Sequence, residues 1–434
     1  MSPVTFGIIG IVVLIAVFIL GMPVGFSMAL IGLLGFSFLV STQAGLSMLA
    51  RDIFATLSSY SLTVIPMFIF MGSIAFASGM SRRLYDTGYK LFGQLRGGLA
   101  MATIAACAGF AAMCGSTNAT AAAMGRVSLP EMKRYNYDDS LATGCVAAAG
   151  SLGIMIPPST VLIVYGILTG ESIGKLFIAG VFPGIVIAIL FIGVVVFLCW
   201  RNPKLAPAGE PTTWKEKLLS LTGIIEMLVL FVLVIGGLFL GLFSPTQAGA
   251  AGAAGAIIIG LARRNLSWRG FLSAIKDSLQ ITCMVMVIVA GAIVFGHFIA
   301  IAKIPLVLAN WVGGLDVPPM VVMVFIIFLY LIGGCFMDAL ALITLTIPII
   351  FPLVIAIGFH PIWFGVIIVL VTEIGVITPP VGVNVYVIKG IADDVPLESI
   401  FKGILPFLIA LIVAVAILTI FPQIATFLPS FTRY

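Results

Sequence analysis

Charged residues are scarce in this sequence: Asp, Glu, Lys and Arg make up 9% of its 434 residues, whereas soluble domains have about a quarter. Histidine occurs only twice, and the six cysteines show no CxxC spacing. These absences argue against a zinc or haem site and against a disulfide framework. A GxxxxGKS/T motif is also missing from the sequence, which disfavours a pump driven by ATP.

Long hydrophobic segments are abundant in this sequence. Hydrophobic residues make up 62% of the chain, and the mean hydropathy is +1.27. Runs over 8–20, 185–200 and 404–420 approach or reach the length that spans a bilayer. We therefore predict an all-α polytopic membrane protein in contact with membrane lipid. The first ten residues carry no Lys or Arg, so a cleaved signal peptide is not expected.

The basic residues predict the orientation of the chain rather than a nucleic-acid site. The net charge is +5, but no basic face is interleaved with aromatic residues, so no nucleic acid is expected as a partner. The rule that basic loops stay inside places most Lys and Arg in the cytoplasm. The segments so placed are 82–96, 133–134, 201–217, 263–276 and the positions Lys389 and Lys402. The loops predicted outside are 41–60, 169–176, 303–319 and 357–361.

Ten predicted membrane crossings agree with these cytoplasmic and external loops. Two further apolar regions do not fit as crossings. The predicted crossings are 5–21, 23–40, 61–80, 140–168, 177–200, 219–242, 245–262, 278–302, 361–391 and 404–429. Residues 97–135 and 305–358 each begin and end on one side around an apolar middle, so each is predicted to be a re-entrant hairpin. Residues 81–96 mix Leu, Tyr and Phe with basic residues, and this mixture predicts an interfacial amphipathic helix.

Two Pro-Pro pairs mark an internal repeat. GIMIPP at 153–158 returns as GVITPP at 375–380, a displacement of 222 residues. The same displacement takes Pro23 to Pro245, Ser116 to Asp338 and Pro130 to Pro352. Because an odd number of crossings separates equivalent positions, the two halves are predicted to be inverted. The predicted organisation is a first repeat over 1–200, a cytoplasmic linker over 201–217 and a second repeat over 218–434.

Each Pro-Pro pair predicts a break in a spanning helix, over about 140–168 and about 361–391. Proline removes a backbone donor and clashes with the preceding turn, and such breaks are tolerated at membrane depth only around a covered site or cavity. Half-helix ends offer carbonyl oxygens to cations and N–H groups to anions. Inverted repeats with broken helices are typical of secondary transporters.

Several polar residues lie where these features predict a site. The first hairpin tip carries Ser116, Thr117 and Asn118, whose neutral oxygens suit a weakly held monovalent cation. The other interpretation is that these small polar residues only hold neighbouring helices together. Asp338 in the second hairpin is an intramembrane carboxylate, which is costly and functional by default. Two interpretations of Glu373 are equally good: it is a structural partner of another side chain, or it belongs to the ion or substrate site.

The segments after the breaks hold further candidates. Ser159 and Thr160 follow the first Pro-Pro pair, Thr378 precedes the second, and Asn384 follows it. Each of these side chains is a candidate for contact with the ion or the substrate, and Thr378 and Asn384 are the preferred ones. Arg126 either clamps a carboxylate or snorkels to the cytoplasmic surface.

At these motifs the chain resembles the large membrane subunit of TRAP (tripartite ATP-independent periplasmic) transporters. The segments that carry the resemblance are GSTNATAAAMGRVSLPEM (115–132), SLGIMIPPS (151–159), GGCFMDALA (333–341) and EIGVITPPVGVN (373–384). The resemblance covers nearly the whole chain. Thr117 and Asn118 depart from the pair common in that family, a second Ser and a variable residue.

The resemblance implies a protein of the bacterial inner membrane and not an enzyme. It would import organic anions such as C4-dicarboxylates, 2-oxo acids or sialic acids, driven by Na+ and by an elevator movement. Its partners would be a small four-helix membrane subunit and a periplasmic substrate-binding protein. The residues expected at Na+ are Ser116, Thr117, Asn118, Asp338 and Thr378. Those expected at the substrate are Arg126, Pro157, Pro158, Ser159, Thr160, Pro379, Pro380 and Asn384.

Other functions fit the sequence less well. A sodium/dicarboxylate symporter that needs no binding protein is the main alternative. A sodium/proton exchanger would want more proton-relay residues than Asp338 and Glu373. An intramembrane hydrolase would need a Ser/His or paired Asp constellation at midplane depth, and neither His297 nor His360 lies near a glycine-framed serine.

Overall fold

The computed structural model describes residues 2–432, and in that range it contains helices and no strand. Met1 and residues 433–434, at the outer ends of the two predicted repeats, lie outside the described residues. The all-α prediction is confirmed. The helices are α1 (Pro3–Ile19), α2 (Val24–Leu39), α3 (Thr42–Leu57), α4 (Val64–Ala77), α5 (Met80–Phe92), α6 (Gly98–Cys114), α7 (Thr117–Arg134), α8 (Asp139–Met155), α9 (Thr160–Thr169), α10 (Ile173–Arg201), α11 (Trp214–Ser220), α12 (Thr222–Phe231), α13 (Gly237–Phe239), α14 (Pro245–Ala262), α15 (Trp268–Ile301), α16 (Ile304–Gly313), α17 (Pro319–Phe336), α18 (Ala339–Ala356), α19 (Pro361–Ile377), α20 (Val383–Lys389), α21 (Leu397–Ile420) and α22 (Gln423–Thr426).

Shorter segments complete the chain. Tyr60–Thr63 and Leu428–Phe431 are 3-10 turns, and Val232–Gly236 is a π-helical segment between α12 and α13. Nine helical segments within residues 2–432 are long and apolar enough to cross a membrane. The apolar helices α1, α2 and α19 are shorter than these.

Large apolar side chains cover the outside of the molecule. Phe38, Trp200 and Phe325 expose 76%, 80% and 70% of their surface. In water such a surface would drive aggregation, whereas hydrocarbon is as apolar as these side chains. The outer surface therefore fits a lipid bilayer, and each helix satisfies its own backbone hydrogen bonds there.

The centre of the molecule is formed by the helices that precede the two Pro-Pro pairs. Every residue of α8 from Leu141 to Met155 is buried, and so is every residue of α19 from Ile362 to Ile377. The two helices pack against each other. Glycines allow close approach of backbones here, because a Cβ at Gly375 would lie 2.4 Å from the Gly334 backbone of α17.

Two helical pairs surround this centre. Helices α6 and α7 are joined at Gly115–Ser116, and α17 and α18 are joined at Met337–Asp338. Each pair reaches into the other half of the chain, because α7 packs against α20 and α18 packs against α9. The range 305–358 also contains α16, a separate helix that packs on α18. Re-entrance and inversion stay predictions.

The prediction of a loop over 41–60 is wrong. Ser41 caps the N-terminus of α3, accepting a hydrogen bond from the Ala44 N–H at 3.2 Å. Asp52 interrupts the apolar pattern, but the fold accommodates its charge: Oδ2 lies 2.6 Å from Nδ1 of His297 on α15. A tertiary partner 245 residues away thus permits a buried carboxylate in a helix.

The amphipathic helix predicted over 81–96 is confirmed as α5. It buries Leu84 and Tyr85, exposes Arg82 and leaves Arg83 and Lys90 half-buried. The Arg83 guanidinium donates to Oε2 of Glu226 on α12 at 2.6 Å, and Arg263 lies 2.8 Å from Oε1 of the same carboxylate. This network ties α5 and the end of α14 to α12.

Candidate functional site

Glycine shapes the first hairpin tip. Helix α6 ends at Cys114, and the next residue, Gly115, has φ +64°, a left-handed conformation that side chains disfavour. Ser116 then caps α7, accepting a long hydrogen bond of 3.5 Å from the Ala119 N–H. The sharp reversal points the Gly115 carbonyl oxygen toward the first break, where it accepts hydrogen bonds from Thr160 N at 3.3 Å and Thr160 Oγ1 at 2.9 Å.

The first break lies under this tip and is fully buried. Helix α8 ends at Met155, the peptide bond between Pro157 and Pro158 is cis, and α9 begins at Thr160. The Ser159 hydroxyl caps α9 by accepting a hydrogen bond from the Leu162 N–H at 3.2 Å. A Cβ at Gly115 would lie 2.6 Å from the Pro158 carbonyl oxygen. The tip and the break are therefore in direct backbone contact.

The second hairpin and its break share fewer hydrogen bonds. Asp338 caps α18, its Oδ2 accepting a hydrogen bond from the Leu340 N–H at 3.1 Å. Among residues 2–432, one backbone hydrogen bond joins this hairpin to the break, from Val381 N to the Cys335 oxygen at 3.4 Å. Pro379 and Pro380, also joined by a cis peptide bond, are exposed.

Two candidates beside the second break are engaged elsewhere. Thr378 Oγ1 donates to the Ile374 carbonyl of its own helix at 2.5 Å. Asn384 is buried, and its Nδ2 donates to the Ala147 carbonyl of α8 at 3.2 Å. These contacts join the second broken helix to itself and to the first one.

A cavity of about 690 Å³ lies between the two tips and helices α4, α7 and α15. Its polar lining residues are Ser73, Ser116, Thr117, Asn118, Arg126, Thr160, Ser273, Asp277, Gln280 and Asp338. The two tips, 222 residues apart in sequence, thus open on one space. Apolar side chains of α4 and α15, such as Phe76, Met284 and Ile288, form much of the remaining wall.

The structure brings six of the predicted site residues to this cavity and leaves seven away from its wall. Those that line it are Ser116, Thr117, Asn118, Arg126, Thr160 and Asp338; those that do not are Pro157, Pro158, Ser159, Thr378, Pro379, Pro380 and Asn384. The polar residues of the opposite wall on α15 were missed. Their spacing at 273, 277 and 280 on one helical face is the signal that would have found them.

The oxygen donors at the first tip fit a monovalent cation. Thr117 Oγ1 lies 3.4 Å from Asn118 Oδ1. The Thr120 hydroxyl is buried beside the Cys114 thiol. A Cβ at Gly153 would come within 2.4 Å of the Ser116 carbonyl oxygen and 2.8 Å of Thr120 Oγ1. These neutral oxygens suit Na+ better than a divalent ion, which prefers several carboxylates.

Glu373 is buried away from the cavity. It lies on α19 against the Met155 backbone at the end of α8. The group therefore sits between the two broken helices and not at the cavity wall, which favours an internal position over a site in contact with substrate.

A family model matches this chain over nearly its whole length. The model of the family described as "Tripartite ATP-independent periplasmic transporter, DctM component" matches residues 11–424. The chain belongs to this family. It is therefore a membrane component of a TRAP transporter, a transport protein and not an enzyme, and it is a multi-pass protein of the bacterial inner membrane. The resemblance seen at the four motifs is confirmed.

Several relatives of this DctM-family chain cover nearly its whole length. It is 37% identical over 383 residues to the C4-dicarboxylate TRAP transporter large permease protein DctM of Pseudomonas aeruginosa, covering 88% of this chain and 89% of that one. It is 32% identical to the sialic acid large permease SiaM of Vibrio cholerae (94% and 95% covered). It is also 32% identical to the ectoine large permease TeaC of Halomonas elongata (96% and 97% covered).

Two solved structures share the fold of this DctM-family chain. One is the YdaH transporter of Alcanivorax borkumensis, with TM-score 0.65 and 15% identity, covering 86% of this chain and 88% of that one. The other is MtrF of Neisseria gonorrhoeae, whose title describes a class of antimetabolite efflux pumps, with TM-score 0.58 and 16% identity (96% and 95% covered). At these identities the likeness concerns the fold alone.

Proposed function

We propose that this chain is the transport subunit for sodium-driven uptake of organic anions, carboxylates such as C4-dicarboxylates, 2-oxo acids or sialic acids. The observation that supports the proposal is the single cavity onto which both hairpin tips open. That cavity combines neutral oxygens at one tip with the Asp338 carboxylate at the other. Arg126 in the wall of the same cavity offers an anion a positive charge, so the cation and the anion would be bound in one space and carried together.

We propose that Na+ binds before the organic anion, because the cation ligands lie on the two hairpin tips. Na+ binds first to oxygens of Ser116, Thr117, Asn118 and Asp338 and orders both tips. The organic anion then binds in the cavity, because ordered tips present it with a formed surface. Coupling of this kind is a reciprocal free energy: bound Na+ raises the affinity for the anion by the same factor as the anion raises the affinity for Na+.

The proposed movement is that of an elevator. Hairpins α6–α7 and α17–α18 pack on the broken helices of both halves, so these elements would move together as one unit. Helices α4 and α15, on the opposite cavity wall, would belong to the fixed scaffold. The cavity between the two bodies would then open to one side of the membrane at a time.

The proposed assembly is tripartite. The family description names a tripartite periplasmic transporter. We infer that this chain works with a small four-helix membrane subunit and with a periplasmic binding protein that delivers the anion. Broad apolar surfaces on the outer helices would accommodate a membrane partner as readily as lipid.

Uptake into proteoliposomes that contain this chain and its small subunit tests the proposal. A labelled carboxylate is supplied with or without the binding protein, and with or without an inward sodium gradient. Uptake that requires both supports the tripartite importer. Uptake with sodium alone would favour the symporter that needs no binding protein, and uptake without a sodium gradient would overturn the sodium coupling.

A further inference from the structure

A charged cluster lies where α5, α12 and the end of α14 meet, outside the wall of the cavity. This corner cluster consists of Arg83, Glu226, Arg263 and Arg264. Glu226 is buried, and an arginine reaches each of its oxygens: Arg83 Nη2 lies 2.6 Å from Oε2, and Arg263 Nε lies 2.8 Å from Oε1. Two guanidinium groups share one carboxylate, so the cluster has an excess of positive charge.

The Arg83 side chain is fully engaged inside the protein. Its Nε and Nη2 both donate to Glu226 Oε2, at 3.1 and 2.6 Å, and its Nη1 donates to the Ser78 carbonyl at 3.1 Å. Arg83 therefore fixes the position of the Glu226 carboxylate. The carboxylate in turn holds the side chain of Arg263 beside it.

Arg263 presents donors to the surroundings. Its side chain is 54% exposed, and its Nε lies against Glu226. Within residues 2–432, its two terminal nitrogens take part in no hydrogen bond or ion pair. The planar fork of a guanidinium matches the oxygens of a phosphate. A positioned and outward-facing guanidinium is a binding group for such an anion.

Arg264 has an unusual backbone conformation for a residue with a side chain. Its φ is +56°, in the left-handed region. The Arg264 N–H bonds to the Leu261 carbonyl at 2.9 Å, and the Asn265 N–H bonds to the Gly260 carbonyl at 3.1 Å. Glycine is the usual residue at this position of such a helix end. An exposed arginine in a strained position points to a function of its side chain.

Further charges surround the corner cluster. A Cβ at Gly260 of α14 would lie 3.2 Å from Cβ of Ser78, and one at Gly270 of α15 would lie 3.7 Å from Cβ of Ala77. The ends of α4 and α14 therefore meet the starts of α5 and α15. Exposed side chains on these starts are Arg82, Asp86 and Arg269, so basic residues outnumber acidic ones at this corner.

An apolar surface adjoins the cluster. Helices α12 and α14 pack closely, since a Cβ at Gly255 would lie 2.8 Å from Leu230 Cδ2. Each helix exposes a stripe of large apolar side chains, with successive members one to four residues apart: Ile225, Leu228, Val229 and Val232 on α12, and Ile258 and Leu261 on α14. Charge and apolar surface thus adjoin, as the head and the chains of a lipid do.

We infer that the corner cluster binds the phosphate of an anionic phospholipid. Arg263 and Arg264 contact the phosphate, and the acyl chains lie along the exposed stripes of α12 and α14. Trp268 is exposed at the same corner and stacks on Phe271 at 5.6 Å, as aromatic residues do at the level of the headgroups. The basic loops predict the cytoplasmic leaflet, whose anionic lipids attract such residues.

Native mass spectrometry of the complex of this chain and its small subunit tests the inference. The complex is stripped of lipid and titrated with dioleoyl phosphatidylglycerol or dioleoyl phosphatidylcholine, which differ only in the headgroup. We expect phosphatidylglycerol to bind more tightly. Glycerol 3-phosphate, which has the phosphate but no acyl chain, should not displace it.

Two variants assign the preference to the cluster. Arg263→Gln and Arg264→Gly should each lower the preference for phosphatidylglycerol roughly fivefold, the size expected for one basic residue near an anionic lipid surface. Arg264→Gly also relieves the left-handed strain. The melting temperature of its lipid-free complex should therefore not fall, which separates lost binding from lost folding.

Lys303→Gly is the matched control. Lys303 is an exposed basic residue with φ +59° that follows α15 as Arg264 follows α14. It lies at the opposite end of α15 from the corner cluster. This variant removes the same charge and the same strain, and it should leave the lipid preference unchanged.

Three results would overturn the inference. The first is equal binding of the two lipids, or an unchanged preference in both arginine variants. The second is displacement of the lipid by glycerol 3-phosphate, which would assign the cluster to a soluble anion. The third comes from a photoreactive residue in place of Leu261: it should label lipid, and labelling of the small subunit instead would assign the apolar surface to that partner.

Discussion

The two Pro-Pro breaks share a sequence pattern but not an environment. At the first, Pro157 and Pro158 are buried, and the Gly115 carbonyl oxygen of the hairpin tip accepts two hydrogen bonds from Thr160. At the second, Pro379 and Pro380 are exposed, and one hydrogen bond of 3.4 Å joins the hairpin to the break. A repeated motif thus supports one covered and one uncovered break in the same molecule.

The residue that begins each reversal accounts for much of this difference. Gly115 adopts φ +64°, and its lack of a side chain lets the tip approach the Pro158 carbonyl oxygen. The equivalent position is Met337, whose φ is −127°, an ordinary extended value. At the first tip, close docking onto the break therefore coincides with a left-handed turn and the absence of a Cβ at Gly115.

Gly115→Ala should have the largest effect on this contrast. Alanine at φ +64° costs about 1 kcal/mol or more in backbone strain, and its Cβ would lie 2.6 Å from the Pro158 oxygen. We expect sodium-driven uptake to fall by roughly tenfold or more. Met337→Ala is the matched control and should retain most of the activity. Equal losses in the two variants would remove the distinction between the tips.

Asp338→Asn should have the next largest effect, because it neutralises the charge of the second tip and keeps its capping geometry. Asparagine caps a helix about as well as aspartate, so α18 should stay intact. We expect the sodium concentration for half-maximal uptake to rise by roughly tenfold, since a carboxylate binds a cation more strongly than an amide. Ser116→Ala at the first tip is the comparison, with a smaller rise expected. An unchanged sodium dependence in Asp338→Asn would exclude the carboxylate from the ion site.

Thr160→Val should loosen the first tip moderately. Valine matches threonine in shape but removes the 2.9 Å hydrogen bond to the Gly115 oxygen, worth about 1 kcal/mol. Uptake at low sodium should fall by roughly fivefold. Thr378→Val is the control, because that hydroxyl bonds only to the Ile374 carbonyl of its own helix. If Thr378→Val lowers uptake more than Thr160→Val does, the second break contributes more to sodium-driven uptake than the first.

The smallest effect is expected at the ion pair between Lys133, at the end of α7, and Asp394, after α20. Hydrogen bonding to Lys133 lowers the pKa of Asp394, and hydrogen bonding to Asp394 raises the pKa of Lys133. Because the Asp394 pKa is lowered on folding, its stabilising effect is present above the ordinary aspartate pKa of about 4. It is lost as the pH falls through the lowered value.

Thermal melting of Asp394→Asn against wild type measures this pair. The difference in melting temperature should be small at neutral pH, vanish in acid and shrink in high salt, since both groups are exposed and screened. It should also fade at strongly alkaline pH, as the pH rises through the raised pKa of Lys133. A difference that persists in acid would indicate a role of Asp394 beyond the ion pair.

The amino-acid sequence by itself determined most of the membrane helices and the ends of those that border the tips and breaks. Apolar length predicted the membrane helices, proline pairs predicted the positions at which α8 and α19 end, and glycine with a polar cap predicted the first tip. These features are local, because a helix ends where proline, a left-handed glycine or a capping side chain makes its next turn unfavourable. The family motifs were recognised for the same reason: each is a contiguous segment.

Only the tertiary structure decided which surfaces face one another. Asp277 on α15 and Arg126 on α7 are 151 positions apart in the sequence, yet they line one cavity. Asp52 is tolerated in α3 because His297 lies beside it. The first Pro-Pro pair is buried, with Gly115 of the hairpin tip against it, whereas the second pair is exposed. Such contacts depend on how the folded helices pack against one another, so no local sequence pattern predicts them.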